Sequence, residues 1–161
     1  NQLDEKTKVG PMIREGDAAR VEQWVREAVQ GGARLMTGGG RRGAIYAPTV
    51  VADVKPEMRI SREELFGPAV AVTPFNSIEE AIELANDTVY GLSAGIFTDN
   101  LDWAMRFARE VDSGNLHVNW CPQWRADLMP YGGLKESGFG KEGPRYAVEE
   151  MTELKMIVFH L

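Results

Sequence analysis

The chain alternates between short apolar or β-branched runs and amphipathic stretches with helical spacing, and this alternation most narrows its possible folds. A helix is predicted to begin at Ser77, because Glu80 three positions later completes a capping-box pattern. The apolar face that follows is made by Ile78, Ala81, Ile82 and Ala85. Helices of about ten residues between strands imply right-handed crossovers. We therefore predict an α/β fold of three layers, with a mostly parallel sheet covered by crossover helices.

The same signals predict the remaining elements. One helix begins near Asp17 as N-cap and ends at Gly31-Gly32, and Gly38-Gly39-Gly40 begins a loop that reaches to about Ala47. Another helix covers 101–111 with Asp99 or Asn100 as cap, and a last one lies around 144–150. Strands are predicted over 34–37, 49–51, 69–75, 92–98 and 116–119.

Residues 153–159 form a final predicted strand, which alternates for part of its length and ends apolar. An apolar edge strand at the end of a chain needs a partner. We predict that it pairs with an adjacent subunit.

Composition excludes several kinds of partner. The chain has a hydrophobic content of 43% and a charged content of 26%, as in a soluble globular domain. Its formal net charge of −6, with no basic cluster denser than Arg41-Arg42, argues against nucleic acid and anionic membranes. No apolar run approaches a membrane span of about 20 residues and no signal-peptide pattern opens the chain, so we predict a cytoplasmic location.

The cysteine content argues against a disulfide and against a metal site. Cys121 is the only cysteine, so it cannot form an internal disulfide. Together with His117 and His160 it makes a poor ligand set, and we expect no metal.

The segment from Pro130 to Gly140 places four glycines, a lysine and a serine within eleven residues. Glycines at this density indicate a loop shaped around another chain segment or a ligand. Lys135 is not followed directly by Ser or Thr, so the segment does not fit a Walker-type phosphate loop.

Glu64 and Phe66 stand two residues apart in a loop that enters a predicted strand. A carboxylate suits the hydroxyls of a ribose, and an aromatic face suits stacking against a nicotinamide ring or its sugar. The alternative is that Phe66 belongs to the core and Glu64 is a solvated charge.

A long loop contains the aromatic residues Trp120, Trp124 and Tyr131, with Arg125 among them. Such aromatics line apolar pockets, and a guanidinium can grip a carboxylate or phosphate. The alternative is an aromatic cluster that packs the loop onto the sheet, with Arg125 solvated or paired to Asp127.

Taken together, these motifs resemble the C-terminal part of the aldehyde dehydrogenase superfamily. Segment 64–68 matches its Glu-x-Phe-Gly-Pro pattern, and 130–140 matches Pro-Phe/Tyr-Gly-Gly-x-Lys-x-Ser-Gly-x-Gly almost throughout. Further agreement lies in Val9-Gly10-Pro11-Met12, Gly38-Gly39-Gly40, Tyr46-x-Pro48-Thr49 and Asn86-x-x-x-Tyr90-Gly91-Leu92.

The resemblance implies an enzyme that makes a carboxylic acid from an aldehyde with NAD or NADP. It implies that Glu64 and Phe66 contact the nicotinamide riboside half of the cofactor. It places the substrate-pocket candidates at the mouth of the aldehyde tunnel: Trp120, Trp124, Arg125 and Tyr131. Residues 125–130 resemble members acting on small polar aldehydes, such as succinate semialdehyde, lactaldehyde or phosphorylated aldehydes.

The resemblance also implies a division of the chain. Residues 1–151 correspond to the latter part of the catalytic domain and residues 152–161 to an oligomerisation strand of a homodimer or homotetramer. The family's cysteine nucleophile precedes the Glu-x-Phe segment, whereas Cys121 follows it. We therefore expect no catalytic residue in this chain, an architectural role for loop 130–140, and no turnover by the 161 residues alone.

Two other functions stay open. The chain could be a noncatalytic, truncated assembly module that uses its sheet edge and terminal strand. It could also be a small thiol hydrolase in which His117 assists Cys121, although a buried, inert thiol is the ordinary state of a single cysteine.

Overall fold

A computed structural model describes residues 3–161, and the chain divides into two compact units. The first unit ends at Asn76 and the second runs from Ser77 to Leu161. No helix among the described residues has the length and apolar character needed to cross a membrane.

The first unit packs two helices with a three-stranded sheet and a small hairpin. Its elements in chain order are α1 (Glu15–Gln30), β1 (Arg34–Thr37), β2 (Arg41–Arg42), β3 (Ile45–Tyr46), β4 (Thr49–Ala52), α2 (Arg59–Arg62) and β5 (Ala69–Ala71). The sheet order is β1-β4-β5, with β1 antiparallel and β5 parallel to β4. Strands β2 and β3 pair with each other.

The core of this unit lies under the apolar stripe of α1. Val21 and Val25 recur at helical spacing and pack with Val51 of β4 and with Tyr46, which is fully buried. Burial raises the pKa of Tyr46, because the charged phenolate is poorly solvated there. The helix ends as predicted at Gly31, whose N–H donates to the Glu27 carbonyl.

The second unit has three helices and two strand pairs. Its elements are α3 (Ile78–Asn86), β6 (Tyr90–Gly91), β7 (Ser93–Ile96), α4 (Leu101–Glu110), β8 (Asn115–Val118), β9 (Leu134–Lys135) and α5 (Pro144–Met151). Strands β7 and β8 are parallel, with α4 as their crossover, whereas β6 and β9 are antiparallel. Its core is formed by Ile78, Ile82, Phe107 and Val111.

Two predicted caps are confirmed and one is wrong. The hydroxyl of Ser77 accepts from the Glu80 N–H at 3.2 Å, and Asn100 rather than Asp99 caps α4. Asp17 is not an N-cap, because α1 begins at Glu15. The Met12 N–H donates to the Ala44 carbonyl, which attaches the chain before α1 to the β2–β3 hairpin. This tertiary contact lets α1 begin earlier than the local capping pattern predicts.

The prediction of a mostly parallel sheet is wrong for the strands described in residues 3–161. Three of their five pairings are antiparallel. The chain from β1 to β4 passes through the β2–β3 hairpin instead of a crossover helix, which returns it in the opposite direction. The observed arrangement is mixed α/β.

Three predicted strands differ from the structure. Strand β5 ends at Ala71, short of the predicted residue 75, and β7 ends at Ile96, short of the predicted residue 98. Residues 152–161 are exposed and make no strand pairing within the described chain. A β-ladder needs a second edge, so pairing of this segment with another subunit stays a prediction.

Candidate functional site

The loop after α2 carries Phe66 in an unusual backbone conformation. Its φ is 44°, in the left-handed region, and its side chain is 72% exposed. The next residue, Gly67, lies so close to α1 that a Cβ there would stand 2.5 Å from a methyl of Val21. Since the backbone is pressed onto the helix, the aromatic ring faces outward and does not belong to the core. Glu64 is also exposed.

An open cleft of about 420 Å³ lies beside this ring. Its lining combines Phe66 and Gly67 with Asp17 and Arg20, one helical turn apart on α1, and with Pro11, Met12 and Ile13. Arg20 also stacks on the Trp24 indole, with its guanidinium carbon 4.9 Å from the ring centroid. Sequence reasoning missed Asp17 and Arg20 as site residues. Their i, i+3 spacing places both side chains on one face of α1, but the sequence does not show that this face meets Phe66.

The aromatic loop of the second unit is anchored where it leaves β8. Asn119 has φ 56°, and its side-chain amide bonds both backbone groups of Thr98 at 2.8 and 3.0 Å. Further along, the Ser93 hydroxyl donates to the Pro122 carbonyl at 2.7 Å. These contacts attach the start of the loop to β7 and to Thr98, which follows β7 in the chain.

The predicted pocket residues of this loop lie at the surface with defined neighbours. Trp120 lies two residues after the end of β8 and is exposed. Trp124 packs edge-on against His117, with ring centroids 6.3 Å apart and planes at 83°. The hydrogen bonds of Asn119 therefore fix the backbone next to Trp120, and the ring of His117 contacts Trp124.

Arg125 and Tyr131 are brought into direct contact. The guanidinium carbon lies 4.5 Å from the Tyr131 ring centroid. Its Nη1 donates to the Glu142 carboxylate at 2.9 Å. The predicted pairing of Arg125 with Asp127 is not found, because its carboxylate partner lies seventeen residues away in sequence, and the Arg125 side chain is 42% exposed.

The glycine-rich loop is tied to neighbouring backbone. The Ser137 hydroxyl accepts from the Gly91 N–H of β6 at 3.0 Å. The Lys135 ammonium donates to the carbonyls of Asn86 and Thr88 at 3.0 and 3.2 Å, where α3 ends. Both polar side chains serve backbone groups, which is what an architectural loop requires.

Cys121 is half-buried and forms no disulfide. His117 has a buried Nε2 without a hydrogen-bond partner among the described residues. Across residues 3–161 no three His, Cys, Asp or Glu side chains are placed to share a metal ion.

Comparisons with known proteins match this chain over nearly its whole length. The model of the aldehyde dehydrogenase family matches residues 1–157. The 3-sulfolactaldehyde dehydrogenase of Priestia aryabhattai is 53% identical over 161 residues, which are 100% of this chain and 34% of that protein. The chain thus spans about a third of the length of the curated relatives that it matches.

Solved structures show the same similarity. An aldehyde dehydrogenase from Physcomitrella patens, in complex with the reaction product succinate, has a TM-score of 0.91 at 44% identity, covering 95% of this chain and 32% of that one. The glyceraldehyde-3-phosphate dehydrogenase of Methanocaldococcus jannaschii, complexed with NADP, has a TM-score of 0.90 at 39% identity, covering 96% and 34%.

Proposed function

The chain belongs to the aldehyde dehydrogenase family, and from this premise we propose that it is the C-terminal part of an NAD(P)-dependent enzyme that oxidises a small aldehyde. The observation that carries the proposal is the match over residues 1–157, together with relatives about three times as long. Such an enzyme makes a carboxylic acid, and the nicotinamide cofactor takes up the hydride.

The cleft beside Phe66 supports a role in binding that cofactor. An exposed ring held outward by a left-handed backbone offers a face for stacking, and the exposed Glu64 carboxylate can accept from ribose hydroxyls. Arg20 adds a cation and Asp17 a further acceptor on the α1 wall of the cleft. These groups fit the nicotinamide riboside half of NAD or NADP.

The thiol nucleophile of this chemistry would lie outside the 161 residues. Cys121 is half-buried and follows the Glu64–Phe66 segment in the chain, whereas the resemblance requires a cysteine before it. We expect no turnover from residues 1–161 alone, and turnover from a protein that joins them to a cysteine-bearing segment and a dinucleotide-binding half.

For the substrate we propose an aldehyde that carries a carboxylate, sulfonate or phosphate group. Arg125 stacks on Tyr131, so the plane of its guanidinium is held while its remaining N–H groups can bind an oxyanion. The names of two relatives point the same way: one acts on 3-sulfolactaldehyde, and one was crystallised with succinate.

The test uses the longer protein that carries this chain. Formation of reduced nicotinamide is followed with succinate semialdehyde, 3-sulfolactaldehyde and a neutral aldehyde of similar size, each with NAD and with NADP. For Arg125→Ala we expect the ratio of kcat/KM for anionic to neutral aldehydes to fall about 10-fold or more, as for a lost charged hydrogen bond. An unchanged ratio would remove Arg125 as the anion anchor, and no turnover of any aldehyde would remove the enzyme proposal.

A noncatalytic assembly module is the second candidate. It is favoured by residues 152–161, which expose a series of apolar side chains: Leu154, Met156, Ile157, Val158, Phe159 and Leu161. Self-association without turnover in the same assay would select this candidate. Turnover by an oligomer would instead make the segment the subunit contact of a homodimer or homotetramer.

A further inference from the structure

We propose that Glu142 sets the preference of the site for anionic aldehydes by controlling the guanidinium of Arg125. The inference rests on the proposed function, because it assigns a regulator to the anion anchor described there. Glu142 lies beyond the glycine-rich loop, two residues before the start of α5.

Glu142 contacts both halves of the anchor. Its carboxylate Oε2 accepts from Nη1 of Arg125 at 2.9 Å. Its backbone forms a two-way bridge with Tyr131: the Tyr131 N–H donates to the Glu142 carbonyl at 3.2 Å, and the Glu142 N–H donates to the Tyr131 carbonyl at 2.6 Å. One residue therefore holds the ring on which the guanidinium stacks and also the guanidinium itself.

The carboxylate of Glu142 competes directly with an anionic substrate. A guanidinium presents five N–H donors, and Glu142 accepts from the Nη1 group of Arg125. An incoming carboxylate, sulfonate or phosphate must share the remaining donors or displace Glu142, while the Glu142 charge repels it. Since the side chains of Arg125 and Glu142 are 42% and 64% exposed, the pair is weak enough to open.

The charge of Glu142 and its backbone bridge are separable. Glu142→Gln keeps the length of the side chain and the backbone contacts with Tyr131, but removes the negative charge. It should therefore free Arg125 for substrate without releasing the ring. A neutral aldehyde has no oxyanion to gain from this change.

The experiment measures kcat/KM of the longer protein for anionic and neutral aldehydes. We expect Glu142→Gln to raise the anionic-to-neutral ratio about 2-fold to 5-fold, the range that corresponds to an exposed ion pair. The rise should shrink at high ionic strength, because salt screens the exposed charges. A merely structural role of Glu142 would alter both substrate classes together and would not depend on salt.

Glu149 offers a matched control. It is another exposed glutamate paired to an arginine, Arg145, at 2.8 Å, and it lies on α5. Glu149→Gln removes the same charge and should leave the ratio where it is. An equal rise in both variants would show a general charge effect and overturn the inference.

A double variant decides whether Glu142 acts through Arg125. In the Arg125→Ala background, Glu142→Gln should no longer raise the ratio. If Arg125→Ala lowers the ratio while Glu142→Gln does not change it, this inference fails and the proposed anion anchor stands. If Arg125→Ala has no selective effect, the anchor itself fails.

Discussion

Replacing Gly114 by alanine should destabilise the second unit strongly, because the glycine-rich loop lies directly against this residue. A Cβ on Gly114 would overlap the Gly132 carbonyl oxygen, and it would stand 2.8 Å from the carbonyl carbon and 3.2 Å from the Cα of Gly133. These are backbone atoms, so no side chain can rotate away to relieve the overlap.

The magnitude follows from what the displaced carbonyl now binds. Gly132 O accepts from the Lys141 ammonium at 3.1 Å and from the Asn115 amide at 3.4 Å. Losing both contacts costs about 1–2 kcal/mol, and forcing extra volume into a packed contact adds about 1–3 kcal/mol. We expect Gly114→Ala to lower the free energy of unfolding by about 2–5 kcal/mol.

Urea unfolding followed by circular dichroism measures this change as a fall in midpoint at constant slope. The matched control is Gly16→Ala in α1, where a Cβ would meet nothing within 4 Å. That variant should be unchanged or up to about 1 kcal/mol more stable, because alanine favours the helix. A loss below about 0.5 kcal/mol for Gly114→Ala would show that the loop is free to move, and would refute the packing argument.

Two further predictions concern buried polar groups. Ser137→Ala removes the acceptor of the Gly91 N–H, which lies on a buried residue, and should lower the free energy of unfolding by about 1–3 kcal/mol in the same urea assay; a neutral effect would contradict this role. Burial raises the pKa of the Tyr46 hydroxyl in the folded protein above its value of about 10 in the unfolded chain. The neutral hydroxyl therefore contributes stability at a pH below the unfolded pKa, and this contribution is lost as the pH rises through the folded pKa. Between about pH 9 and 12, the free energy of unfolding of Tyr46→Phe should therefore fall less than that of the unsubstituted protein. If the two proteins lose stability in parallel over this range, Tyr46 is not the group whose ionisation destabilises the fold.

Local signals predicted those features whose partners lie within a few residues. The cap at Ser77 needs only the N–H three residues on, and the stop of α1 needs only Gly31. Both are properties of a short peptide, and both are found as predicted. The beginning of α1 at Glu15 instead depends on chain held near Ala44, which the local pattern does not contain.

Features that depend on distant partners could not be predicted in the same way. The carboxylate that meets Arg125 belongs to Glu142, although Asp127 is much closer in sequence. Strand β4 runs antiparallel to β1 because the β2–β3 hairpin lies between them, and the sequence pattern predicted only a loop there. In the site, Glu64 and Phe66 were found as candidates from residue type, but the cleft wall with Asp17 and Arg20 required the packing of Gly67 on α1.

The backbone at Phe66 and Gly67 restricts which mutations this position can accept over time. A left-handed φ of 44° is tolerated by glycine and asparagine, and is worst for valine, isoleucine and threonine. Any larger residue at 67 would collide with Val21, so the neighbouring position cannot change to relieve the strain. A one-base change from a phenylalanine codon to valine or isoleucine would therefore be penalised by the main chain before any ligand is involved. We expect lineages that lose the aromatic ring at this position to drift toward residues that accept the left-handed region, with the loop conformation outlasting the ring.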